Sequence, residues 1–134
     1  MSFDVNLMRF KNGEPGVFPA KIVREIFGPF VDSRDGDTWF LEFPDGGGGE
    51  MTAEDDYAQE TNGISISSPC GSQIYDALYR VLQQVGGVLM WSFGGCAVAD
   101  TAVIPELPLE MLDQLGQPIV VRNGSEIVAA IHNT

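Results

Sequence analysis

The first residues of the chain alternate strictly between apolar and polar side chains. Phe3, Val5 and Leu7 are separated by Asp4 and Asn6. A period of two is typical of a strand that buries one face, so the pattern predicts a strand over residues 2–10. The other segments with strand character are residues 38–43, 50–53, 64–67, 88–93 and 119–122.

The clearest helical pattern lies in the middle of the chain and ends at a pair of glycines. Ser68 is suited to cap this helix and Pro69 to occupy its first position, because the N–H that proline lacks has no partner there. Weaker helical patterns begin at Pro19, at Pro108 and at Ser125, which we expect to cap the last helix. The apolar stripe of the central helix consists of Ile74, Leu78, Val81, Leu82 and Val85.

The predicted elements follow in the order β-α-β-β-β-α-β-α-β-α, with turns at residues 33–37, 45–49 and 94–96. Strands cluster rather than alternate strictly with helices, which favours an α+β sandwich. We therefore expect a mostly antiparallel or mixed sheet with helices on one face. The length of 134 residues is that of one domain, so residues 1–134 are predicted to form a single α+β domain.

Four consecutive glycines, residues 46–49, lie between two predicted strands. The backbone of such a run can bind phosphate in a Walker loop, but that loop needs a lysine after the last glycine. Here Asp45 precedes the run and Glu50 follows it, and both carboxylates would repel phosphate. The run is therefore predicted to be a flexible hairpin tip.

The composition is that of a folded, acidic protein. Lys and Arg total 7 and Asp and Glu total 19, which gives a net charge of −12. Hydrophobic residues make up 44% of the chain, more than a disordered acidic chain contains. A protein that binds nucleic acid or an anionic membrane surface needs a basic patch, and the seven basic residues are scattered. We therefore expect neither partner.

The sequence also bears on the location of the protein. No run of about 18 apolar residues is present, which argues against a transmembrane helix. The first residues carry no basic segment followed by an apolar one, so no signal peptide is predicted. The expected location is the cytoplasm, where Cys70 and Cys96 would stay reduced.

The acidic residues are concentrated in one stretch. Residues 32–60 hold ten acidic side chains, opposed by Arg34 alone. A strongly negative surface accelerates the encounter with a basic protein, and aromatic side chains are frequent anchors of protein contacts. We predict that this stretch contacts a basic protein partner, with Trp39 or Tyr57 as the aromatic anchor. The predicted acidic contact residues are Asp35, Asp37, Glu54, Asp55 and Asp56.

Nucleophilic catalysis by cysteine requires a base within hydrogen-bond reach. The chain has one histidine and two cysteines, so the pairs to consider are Cys70–His132 and Cys96–His132. Cys70 is expected in the first turn of a helix, where the helix dipole favours a thiolate. The alternative, which we favour, is that both thiols pack as small apolar groups. No catalytic residue is predicted.

Metal binding is not predicted either. One histidine and two cysteines cannot complete a structural zinc site. Asp32–Asp37 superficially resembles a calcium-binding loop, but the first ligand position falls on Val31, which has no side-chain oxygen. We therefore expect neither a metal nor a cofactor.

Three segments of the chain resemble a group of small bacterial proteins of unknown function. They are the opening Ser2-Phe3-Asp4-Val5 with Leu7 and Phe10, the helix YDALYRVL at residues 75–82, and the tail VVRNGSEI at residues 120–127. The resemblance spans most of the chain and brings no catalytic motif. It implies a bacterial cytosolic protein.

The charge pattern favours a non-enzymatic interaction module that binds a basic partner. Small bacterial immunity proteins, which block basic nuclease toxins, share this character, since they too are short, acidic and cytosolic. The alternative is a small-molecule-binding protein or a small enzyme whose site is not recognisable from the sequence. Self-association as a homodimer is a third hypothesis, because symmetric dimers are the commonest oligomers.

Overall fold

The computed structural model describes residues 3–52, 59–92 and 94–133. Within these ranges the strands are Asp4–Lys11 (β1), Glu14–Gly16 (β2), Phe18–Pro19 (β3), Val31–Asp35 (β4), Thr38–Glu42 (β5), Gly48–Thr52 (β6), Glu60–Thr61 (β7), Gly63–Cys70 (β8), Val88–Trp91 (β9), Gly95–Val98 (β10) and Ile119–Val120 (β11). The helices are Ala20–Phe27 (α1), Gln73–Val85 (α2), Leu109–Leu115 (α3) and Gly124–His132 (α4), with 3-10 helices at Gly28–Phe30 and Thr101–Glu106.

One large sheet organises the chain. Its strands follow the order β11-β10-β9-β1-β8-β6-β5-β4, and β2 pairs with the end of β1. Neighbours along this order are antiparallel except β10 and β11, which are parallel. The predicted fold class, α+β with a mostly antiparallel or mixed sheet, is confirmed.

The main core lies between the sheet and helices α1, α2 and α4. The strand predicted at the start of the chain turns Val5 and Leu7 into this core, as its alternation requires. The predicted stripe of α2 is fully buried against the sheet. This helix of 13 residues is the longest one described, and no helix in the described ranges has the length and apolar character needed to cross a membrane.

A smaller core covers part of the opposite face, at the β9–β10 end of the sheet. There Val88 and Val98 pack with Val103 of the second 3-10 helix, and side chains of α3 lie against them. The expected placement of helices on one face thus holds for α1, α2 and α4, whereas α3 packs on the other side. The rest of that opposite face, across β8, β6, β5 and β4, has no described helix over it.

The predicted start of the central helix is wrong. Ser68 and Pro69 belong to β8, and α2 begins only at Gln73. The register between β6 and β8 shifts by one residue at this place, so that Ser68–Pro69 forms a bulge in which Ser68 has a φ of +52°. A bulge leaves one residue unpaired, so a proline without an N–H is tolerated there.

Three other local predictions need correction. Residues 33–37 are not all turn, because β4 extends through Asp35 before a tight turn leads into β5. Residues 94–96, also predicted as a turn, open into strand β10 at Gly95. Ser125 does not cap the last helix, since the side chain of Asn123 accepts a hydrogen bond from the N–H of Glu126 at 2.9 Å.

Candidate functional site

The part of the sheet that has no described helix over it carries mostly small and acidic side chains. We call this surface the polar face. Strand register places its members in two neighbouring rows that cross five strands. On β1, β8, β6 and β5, the side chains of the alternate positions are buried in the main core. The first row consists of Asp4, Ser67, Glu50, Phe40 and Ser33, and the second of Asn6, Ser65, Thr52, Thr38 and Asp35.

A depression of about 680 Å³ lies at one end of the polar face. Its carboxylates are those of Asp32, Glu42 and Glu50, and its aromatic side chain is the half-buried Phe40. None of its lining residues is a lysine or an arginine. We call this depression the acidic groove; its remaining lining residues are Leu41, Gly46, Gly47, Gly48, Gly49, Ser67, Ser68 and Cys70.

Arg34, the one basic residue of the acidic stretch, is not among the lining residues of the groove. Its guanidinium carbon lies 4.9 Å from the centre of the Trp39 ring. Arg34 and Trp39 are paired across β4 and β5, and Trp39 faces the main core. The positive charge therefore lies on the other side of the sheet from Glu42 and Glu50.

The glycine run forms one wall of the groove. The predicted hairpin is present, with Gly48 paired to Glu42, but the predicted flexibility is wrong because Gly47 and Gly48 are closely packed. Gly47 and Gly48 are buried. A Cβ atom on Gly47 would overlap the carbonyl oxygen of Cys70, and one on Gly48 would overlap the carbonyl oxygen of Leu41. Glycine is required here because two neighbouring backbones approach the run too closely for any side chain.

Asp45 joins this hairpin to α2. Its Oδ2 accepts hydrogen bonds from the backbone N–H groups of Ser72 at 2.9 Å and Gln73 at 3.0 Å, and its Oδ1 accepts one from the N–H of Gly47 at 2.8 Å. These donors, Gln73 first and Gly47 second, hold the pKa of Asp45 below its ordinary value of 3.8. The carboxylate thus supplies the helix cap that the sequence pattern assigns to Ser68.

We expect Asp45→Ala to be less stable than the wild type at pH 7. Because the folded-state pKa is lowered, the carboxylate stabilises the fold above the ordinary value of 3.8, and this stabilisation is lost as the pH falls through the lowered pKa. The difference in free energy of unfolding, measured in urea, should therefore shrink below about pH 4. Asp113→Ala, at an exposed position of α3, is the control. An Asp45→Ala deficit of equal size at pH 7 and pH 3 would contradict this role.

Two further depressions continue from the acidic groove around the end of strands β4 and β5. The first, of about 400 Å³, shares Asp32 and Glu42 with the groove. The second, of about 250 Å³, lies between Phe30 and helix α2, and we call it the apolar pocket. The rings of Phe30 and Phe43 stack with centroids 4.3 Å apart. The apolar pocket is lined by Phe30, Phe43, Pro44, Gln73, Asp76, Ala77 and Arg80.

Of the predicted contact residues that the structure describes, two are exposed and one is buried. Asp35 and Asp37 are exposed, at the end of β4 and in the following turn. Trp39 is only 3% exposed and packs in the main core, so it is not a surface anchor. The other predicted residues, Glu54, Asp55, Asp56 and Tyr57, lie outside the described residues.

The aromatic residue of the groove is Phe40, which the sequence-based prediction missed. The alternation in residues 38–43 already carries the signal, because it groups Trp39, Leu41 and Phe43 on one face and Phe40 with Glu42 on the other. The grouping of Glu42 with Asp32 and Glu50 has no such signal. It depends on the pairing of three strands.

The cysteine–histidine pairs gain no support. Cys96 is buried in the smaller core, where burial raises the pKa of its thiol. The sheet lies between Cys96 and helix α4, which carries His132. Cys70 is exposed at the end of β8 rather than in the first turn of a helix, so that expectation is wrong. In the described ranges, no group of three or more His, Cys, Asp or Glu side chains could hold a metal ion.

No protein-family model, curated protein or solved structure matches the chain significantly. The acidic groove, the polar face and the apolar pocket are the surface features of the described residues that bear on function.

Proposed function

We propose that the protein is a non-enzymatic interaction module whose acidic groove binds a basic protein partner. The observation that carries the proposal is that Asp32, Glu42 and Glu50 line one depression without any lysine or arginine among its lining residues. An arginine or lysine of a partner would supply the missing positive charge. The immunity-protein-like character and the cytoplasmic location expected from the sequence belong to the same proposal.

The surroundings of the carboxylates support a protein partner. Phe40 offers an aromatic face beside Glu50, its cross-strand neighbour, and an aromatic ring strengthens the binding of a cation. Ser67 and the neighbouring serines and threonines provide hydrogen-bonding groups on short side chains that lose little entropy when ordered. An aromatic centre with a polar rim is the usual composition of a protein interface.

The test uses a fluorescein-labelled peptide of five Arg-Gly repeats and fluorescence anisotropy at low salt. A surface charge contact contributes up to about 1 kcal/mol to binding. The double variant Glu42→Gln/Glu50→Gln removes two such contacts and should therefore weaken binding about tenfold. Glu110→Gln/Asp113→Gln removes the same charge from exposed positions of α3 and should change the affinity by less than about twofold. Equal losses in the two double variants would show that net charge alone attracts the peptide, and the proposal would be wrong.

We also propose that the protein forms a homodimer through the edge of the sheet that lies opposite to the acidic groove. Ile119 and Val120 form the edge strand β11 and are 39% and 42% exposed. The acidic groove lies near the other edge, on strands β4, β5 and β6. Two copies meeting at β11 would bury apolar side chains while keeping their acidic grooves apart, which limits like-charge repulsion. Light scattering on the sample used for peptide binding should give the molar mass of two chains, and the molar mass of one chain would contradict the dimer.

A further inference from the structure

The depression of about 400 Å³, which we call the middle depression, adjoins both the acidic groove and the apolar pocket, and we call the three together the channel. The groove shares Asp32 and Glu42 with the middle depression, and the middle depression shares Phe30, Phe43 and Pro44 with the apolar pocket. The channel therefore passes from the polar face, around the ends of β4 and β5, to the side of the sheet that carries α2. A segment of a partner that follows the channel must bend around this edge of the sheet.

The middle depression has the chemistry to hold an arginine or lysine. Its charged groups are the exposed carboxylates of Asp32 and Glu42, and the rest of its lining, Pro29, Phe30, Val31, Phe43 and Pro44, is apolar. Long basic side chains lay their methylene groups on apolar surface while the charged end reaches a polar partner. A guanidinium between two carboxylates also forms strong, charge-assisted hydrogen bonds.

The apolar pocket has the size and lining for one apolar side chain. Its volume of about 250 Å³ is below the roughly 300–1,000 Å³ of typical small-molecule sites. Phe43 and Ala77 are buried at its base, and the ring of Phe30 forms a wall. Its charged members, Asp76 and Arg80, are exposed and of opposite sign, so the pocket itself attracts neither an anion nor a cation.

We propose that the partner presents a basic residue next to an apolar residue in a segment that bends around this edge of the sheet. The basic side chain binds between Asp32 and Glu42, and the apolar side chain enters the apolar pocket between Phe30 and α2. This inference rests on the proposed function and specifies the partner chemistry, because arginine-rich segments without an apolar neighbour would use only half of the channel.

The experiment compares two peptides of equal charge by fluorescence anisotropy. One is the peptide of five Arg-Gly repeats, and the other replaces its central glycine with leucine. We expect the leucine peptide to bind the wild type about tenfold more tightly, since a leucine side chain gains roughly this much when it is largely buried. Phe30→Ala, which removes a wall of the apolar pocket and of the middle depression, should abolish the leucine advantage, measured as the ratio of the two peptide affinities in that variant.

A second variant guards against a folding defect in Phe30→Ala. Ala77→Met fills the pocket from α2 and should also abolish the leucine advantage, whereas Phe30→Leu should retain most of it. If leucine gives no gain, or if the gain survives in both Phe30→Ala and Ala77→Met, the inference is wrong. The proposed function fails separately, when Glu42→Gln/Glu50→Gln leaves the affinity for the Arg-Gly peptide unchanged.

Discussion

Gly48→Ala is expected to lower the free energy of unfolding by about 3 kcal/mol, at the upper end of the usual cost of overpacking. The added methyl group would overlap the carbonyl oxygen of Leu41 on the neighbouring strand. Backbone cannot rotate away as a side chain can, so β5 and β6 must separate locally. Urea unfolding followed by the fluorescence of the two buried tryptophans, Trp39 and Trp91, measures the loss.

Two other glycines distinguish overlap from the general effects of replacing glycine. Gly16 of β2 has no positive φ, and beyond its chain neighbours the nearest atom to its Cβ position is the carbonyl oxygen of Arg9 at 3.7 Å, an ordinary contact, so Gly16→Ala should be nearly neutral. Gly46 has a φ of +85°, and beyond its chain neighbours no described atom lies within 4 Å of its Cβ position, so Gly46→Ala should cost about 1 kcal/mol through backbone strain alone. A Gly48→Ala loss no greater than that of Gly46→Ala would refute the close-packing argument.

The elements that the sequence predicts correctly are those with a local, periodic signal. The alternation around Val5 and the helical stripe through Leu78 both face the main core, because a single buried face imposes its period on the residues of its own element. These two patterns, together with the clustering of strands, were sufficient to predict an α+β fold. No distant contact is needed to interpret them.

The errors fall where a distant strand decides the local conformation. Ser68 and Pro69 have the composition of a helix start, but β6 pairs with this segment and extends it through Cys70. The cap of α2 comes from Asp45, 27 residues before Ser72 in the sequence. The spacing of residues along the sequence does not indicate such a contact, so the sequence predicts a local cap instead.

The candidate site was predicted only as a stretch of sequence. Residues 32–60 contain the acidic residues of the groove, but the chain alone does not show that Glu42 and Glu50 lie on one face with Asp32. The register of β4, β5 and β6 creates that grouping. Trp39 was a poor choice of anchor for a local reason, since it alternates in phase with Leu41 and Phe43 and is buried with them.

Phe27→Ala should lower the free energy of unfolding by about 4 kcal/mol, within the range for truncating a buried phenylalanine. Phe27 is fully buried at the end of α1. This helix has eight residues, and a helix so short is not stable in isolation. It therefore depends on the packing of its buried face, and we expect urea unfolding to show the loss together with a decrease in helical circular dichroism.

The reason for this large effect can be tested with Phe27→Leu and Lys21→Ala. Leucine keeps most of the buried volume, so Phe27→Leu should cost less than about 1.5 kcal/mol. Lys21 is exposed on the same helix and forms a surface ion pair with Glu25 at 3.5 Å, so Lys21→Ala should have little effect. If Phe27→Ala cost no more than Phe27→Leu, then α1 would be held by its other contacts. Phe30, which forms a wall of the apolar pocket, lies three residues after Phe27, at the end of the 3-10 helix. The packing of Phe27 therefore also positions this wall.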